Sequence, residues 1–145
     1  MASPMDPADV KALMQSSDAG KIEETVRSFD NHHTKTAEDE QQLLKLRILL
    51  WNRILAVQRA ASDDYSDALG KIGQCWIGMG ETDKAISFLV KALEMKPDDA
   101  VSMEHLGAAY TDLSNYEKAI ELRVKAISVL EKETDKAATA SAYAK

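Results

Sequence analysis

Apolar residues along this chain recur every three or four positions, and two-residue alternation is hard to find. That periodicity predicts helices throughout. Val10, Leu13 and Met14 form one short stripe, opened by Asp6 as a cap and Pro7 at the first helical position, and closed at Ser16 and Ser17. Asp18 can cap a second short helix, whose stripe is Ile22, Val26 and Phe29. The two read as a helical hairpin. Asn31, His32, His33 and Thr34 make a polar connector. Thr36, with Asp39 three residues on, resembles a capping box with Asp in place of Glu.

A long helix is predicted from Ala37 to Ala61, acidic at its start and basic in its later turns, as the helix macrodipole favours. It carries two apolar stripes. One is Leu43, Leu46, Leu50, Ile54 and Val57; the other is Leu44, Ile48, Trp51 and Leu55. Such a helix must be covered on two sides. Either it lies between the hairpin and the rest of the chain, or one face is kept for a partner. Trp51 reads first as core and second as a binding hot spot.

The second half matches itself at a shift of 34 residues, with 7 of 34 aligned pairs identical. Gly73 falls on Gly107, Trp76 on Tyr110, Ala85 on Ala119 and Ala92 on Ala126. A fixed period of this size signals stacked supersecondary units. Small residues at 73, 85 and 92 would let antiparallel helices approach closely, with Trp76 or Tyr110 filling the gap between units. Gly78-Met79-Gly80 and Leu113-Ser114-Asn115 are predicted turns, Asp83 or Asn115 can cap the second helix of each unit, and Pro97-Asp98-Asp99 closes the first unit.

These positions resemble the tetratricopeptide repeat. One copy reads Leu69-x2-Ile72-Gly73-x2-Trp76, then Ala85, Ala92 and Pro97. The next reads Met103-x2-Leu106-Gly107-x2-Tyr110, then Tyr116, Ala119 and Ala126. Glu131 stands where the second closing proline would be, so the last helix could run on, as in the lengthened repeats of kinesin light chains. The shift fails upstream, where Gly73 would map to Asp39 and Ala85 to Trp51.

The expected fold is therefore all-α: a short tetratricopeptide-like α-solenoid of antiparallel helix pairs. Its predicted parts are a hairpin at 1–35, a long two-faced helix at 36–62, two repeats at 66–133, and at 134–145 a capping helix or the start of a third repeat. What the resemblance implies is a non-enzymatic protein–protein interaction module, an adaptor or subunit of a larger assembly. It would dock a partner helix or peptide in a concave groove lined by Lys71, Gln74, Glu104, His105, Ala108 and Thr111, or on the second face of the long helix. The alternative is a co-chaperone. Relatives that bind acidic chaperone tails place a Lys and Asn on these first helices, where this chain has Gly70, Gln74, His105 and Ala108, so that carboxylate clamp is essentially absent.

Composition narrows the chemistry further. Eighteen Lys and Arg against 24 Asp and Glu give a net charge of −6, which disfavours a nucleic-acid partner. One cysteine excludes an intramolecular disulfide framework. Cys75 reads as a buried thiol and His32-His33 as a solvated loop. No catalytic residue, metal site, cofactor or small-molecule substrate is expected. No apolar run is long enough to insert in a membrane, and the first residues resemble neither a secretory signal nor a transit peptide. The expected location is cytoplasmic, with cytoskeletal or ciliary complexes suggested by the motor-associated resemblance.

Overall fold

The computed structural model describes residues 7–29, 36–57 and 63–143. Within them the chain forms helices and no strand: α1 (Pro7–Gln15), α2 (Ala19–Ser28), α3 (Ala37–Val57), α4 (Asp63–Gly78), α5 (Thr82–Met95), α6 (Ala100–Asp112) and α7 (Tyr116–Tyr143). The fold is all-α, as the periodicity predicted. The Asp6 cap, the His32-His33 connector and the expected end of the long helix lie outside the described residues.

Capping chemistry sets several of the helix starts. Asp18 accepts a hydrogen bond from the Lys21 N–H at the start of α2. Thr36 Oγ1 accepts from the Asp39 N–H at 3.0 Å before α3. Asp99 accepts from the N–H groups of Val101 and Ser102, while the Ser102 hydroxyl donates back to it at 2.7 Å. Each bond satisfies a donor that the first helical turn leaves unpaired. Asp83 takes a different place from the one predicted. The capping position of α5 is Glu81, without a side-chain bond, and Asp83 lies in the first turn.

Both stripes of α3 enter one core. Leu43, Leu44, Ile48, Leu50, Trp51 and Ile54 are buried with Leu13, Ile22, Val26 and Phe29 of the hairpin and with Ala68, Ile72 and Cys75 of α4. Polar bonds fix the same packing. Arg53 donates twice to the Ser16 carbonyl, at 2.8 and 3.0 Å, and Gln41 donates to the Gly78 carbonyl at 3.3 Å. The second face of α3 is therefore filled by the chain itself. Of the two alternatives, the described residues match cover by the chain: α4 packs on the face that a partner would have taken. Trp51 is core, 1% exposed.

From α4 onward the 34-residue period is visible atom by atom. The α4–α5 turn makes two backbone bonds, Glu81 N–H to Trp76 O at 3.0 Å and Gly80 N–H to Ile77 O at 2.9 Å. The α6–α7 turn repeats them, Asn115 N–H to Tyr110 O at 2.8 Å and Ser114 N–H to Thr111 O at 2.9 Å. Each pair is a Schellman motif, which closes a helix through one residue in the left-handed region. That residue is Gly80 (φ 77°) in one turn and Ser114 (φ 58°) in the other. Lys84 lies over the Trp76 ring at 4.5 Å and Lys118 over the Tyr110 ring at 5.1 Å.

The two repeated glycines mark close approaches of differing tightness. A Cβ on Gly73 would come within 2.6 Å of Leu89 Cγ, whereas one on Gly107 would meet Arg123 Cγ at 3.3 Å. Leu89 and Arg123 are themselves 34 residues apart. α7 then continues without a break to Tyr143. No glycine or proline interrupts it, so residues 134–143 extend this helix where a separate capping helix or a new repeat had been predicted.

Candidate functional site

Three helices contribute to one shallow hollow. Its volume is about 160 Å³, and its lining includes Arg27 of α2, Asp67, Gly70, Lys71 and Gln74 of α4, and His105 of α6. The close approach of α4 and α6 makes it possible. A Cβ on Gly70 would lie 3.0 Å from the Ser102 hydroxyl oxygen, so a bulkier residue there would push the two helices apart.

The acidic groups at this hollow are already engaged. Asp67 accepts from Arg27 at 3.0 Å, and Arg27 also contacts Glu23 at 2.7 Å. This pairing holds α2 to α4 across forty positions of sequence. Asp99 is used by the α6 N-terminus and Ser102. Lys71, Gln74 and His105 make no side-chain hydrogen bond or ion pair with another described residue. What the hollow offers a ligand is therefore an ammonium donor with a carboxamide and an imidazole that can each donate or accept.

The imidazole is tuned toward its neutral form. Burial lowers the His105 pKa below the ordinary 6.5, and the positive charge of Lys71 lowers it further. Asp99 and Glu104 oppose the shift without cancelling it. A neutral His105 offers one donor and one acceptor. It can thus meet a peptide group from either side.

Of the six residues predicted to line the groove, Lys71, Gln74 and His105 come together here. Ala108 and Thr111 are half-buried further along α6, and Glu104 is exposed beside His105. The Thr111 hydroxyl is spent on the Gly107 carbonyl at 3.0 Å. Sequence reasoning missed Arg27 and Asp67. Arg27 with Glu23 looks like an ordinary surface pair four residues apart; only the fold brings Asp67 to it. Cys75 is buried. Among the described residues, no group of three or more His, Cys, Asp or Glu is placed to hold a metal ion, and no helix is long and apolar enough to cross a membrane.

Comparisons with known proteins agree with this architecture. Residues 66–99 match the tetratricopeptide repeat family. No curated protein sequence matches the chain. Among solved structures, the fold is similar to that of MamA, at TM-score 0.57 and 26% identity, covering 90% of this chain and 83% of the other. It is similar to MamA from residue 41 onward of Desulfovibrio magneticus RS-1, at TM-score 0.54 and 20% identity, over 87% and 78% of the two chains. The repeats of a kinesin light chain-type protein from Podospora anserina align at TM-score 0.51 and 12% identity, over 92% and 80%. The last two likenesses concern fold alone. Residues 66–99 form a tetratricopeptide repeat, and the helices around it build the matching solenoid. Such a fold is a scaffold for protein–protein interaction.

Proposed function

We propose that this chain is a non-enzymatic adaptor or assembly subunit that docks a helix or extended segment of a protein partner along the side lined by α2, α4 and α6. The observation that carries the reading is the hollow itself. Its Asp67 and Asp99 are engaged within the fold, and Lys71, Gln74 and His105, which make no side-chain bond to another described residue, line one space. A partner segment presenting carbonyl or carboxylate oxygens would satisfy Lys71, Gln74 and His105 together. Glu104 would stand at the rim, where a charge affects the rate and selectivity of encounter more than affinity. Ala108 and Thr111 would give the partner a low, uncharged track past the hollow. The proposed setting is cytoplasmic, with a cytoskeletal complex as its narrower form.

The test is fluorescence anisotropy of labelled helical and extended peptides titrated with the full chain. Gln74→Trp fills the hollow, and Lys71→Glu replaces its ammonium with a carboxylate. Peptides that bind here should lose about tenfold or more in affinity with either variant. Val90→Ser, on the outer face of α5, should leave them unchanged. A peptide set whose binding ignores both hollow variants would overturn the reading.

A further inference from the structure

The outer helices of the two repeats sit in equivalent places but are covered differently. On α5, Ile86 and Leu93 are partly buried against the next pair, beside Leu106, Tyr110 and Leu122. Their equivalents on α7 are Ile120 and Ile127, which are 63% and 53% exposed. Tyr116, Val124 and Leu130 extend the same open stripe. Beyond Val129 every described residue of α7 is exposed. An isolated helical arm of that length is marginal in water, so it gains from cover.

We infer that the cover is a second copy of this chain, packed α7 against α7 in antiparallel orientation about a two-fold axis near Ile127. Two properties of α7 favour this occupant. The first is size. The proximal part of the stripe is large (Tyr116, Ile120, Val124), and the distal part is small (Thr134, Ala138, Ser141). Turning one helix end for end sets Ile120 against Thr134 and Tyr116 against Ala138, so bulky and slim stretches interdigitate. A parallel pair would stack bulky on bulky.

The second property is charge. Residues 116–126 carry Lys118, Arg123 and Lys125 against Glu117 and Glu121, a balance of 3 − 2 = +1. Residues 127–143 carry Lys132 and Lys136 against Glu131, Glu133 and Asp135, a balance of 2 − 3 = −1. Lys118 lies over the Tyr110 ring and Lys125 pairs with Glu121, so the charges beside the stripe are Arg123 in its proximal part and Glu131 in its distal part, and only the antiparallel pair sets these two facing each other. The opposed helix dipoles add to the same preference. The stripe also steps by three and four residues from Tyr116 to Thr134, the spacing that seats one helix on another. At 1.5 Å per residue the contact from Tyr116 to Ala138 would run about 33 Å.

Light scattering and sedimentation of the full chain over a range of concentrations give the first test. Wild type should dimerise reversibly, and Ile120→Asp with Ile127→Asp should weaken the dimer by about tenfold or more. Both side chains are more than half exposed, so at dilutions where wild type is a single copy the variant should match its circular dichroism spectrum and melting midpoint; at concentrations where wild type pairs, the variant should melt lower. Orientation is read with a short thiol crosslinker in a Cys75→Ala background. Ile120→Cys mixed with Thr134→Cys should crosslink efficiently; Ile120→Cys alone should not. A monomer at every concentration, a dimer indifferent to the two Asp changes, or efficient crosslinking of Ile120→Cys to itself would each overturn the inference.

Discussion

α5 and α7 descend from the same 34-residue pattern, yet one is a core helix and the other is mostly surface. The difference lies in which side chains each carries and in whether another helix pair packs on its outer side. α5 is held from within by Leu89, fully buried under Gly73, and from outside by α6. At the position of Leu89, α7 has Arg123, whose aliphatic stem covers Gly107. Ala119 and Ala126 still dock α7, but no further helix pair covers its outer face among the described residues. A repeat is thus a one-sided object. Its stability depends on its neighbour as much as on its own sequence.

The largest test of that contrast is truncation at the two equivalent positions. Leu89→Ala should cost about 2–5 kcal/mol in urea denaturation. Arg123→Ala should cost less than about 1 kcal/mol, since only a partly exposed stem is lost. Similar losses at both sites would break the comparison.

Adding volume should separate the repeats next. Gly73→Val forces a branched side chain into Leu89 and the Ala85 carbonyl, with an expected loss of about 1–3 kcal/mol. Gly107→Ala has room once Arg123 gives way slightly. It gains helix propensity, so it should be neutral or stabilising by up to about 1 kcal/mol. Thermal melts of the two variants should therefore move in different directions, or one should not move at all.

The paired turns give a smaller and opposite contrast. Gly80→Ala places a Cβ in the left-handed region and should cost about 1 kcal/mol. Ser114→Gly relieves that same strain and should gain up to about 1 kcal/mol, less what the unfolded chain gains in freedom.

Much of this was legible in the sequence. The repeated Gly, Ala and aromatic positions at 73, 85, 76 and their partners located the second half, because close packing needs small residues at fixed spacing. Lys71, Gln74 and His105 followed from that register. Arg27 and Asp67 did not, because a contact between α2 and α4, forty residues apart with α3 in between, leaves no local signature. The fate of the α3 faces was equally hidden. Periodicity shows that a stripe must be covered, but not by whom. At Ser114 the sequence hid a left-handed residue, since serine gives no warning of positive φ.

The smallest expected effect is a pH dependence at His105. Its folded pKa lies below its unfolded value, so between the two the unfolded chain binds more protons. Stability is then fully present above about pH 6.5 and falls as the pH drops through the ordinary histidine range. His105→Gln should flatten that part of the profile. A profile unchanged by the substitution would show that the hollow does not tune this imidazole.

Hydrogen exchange read by mass spectrometry compares the two outer helices most directly. At dilutions where light scattering gives single copies, α5 amides should exchange only through global unfolding. Those of α7 beyond Val129 should exchange orders of magnitude faster, and raising the concentration should slow them. Equal protection along α5 and the whole of α7 in the single copy would contradict the account.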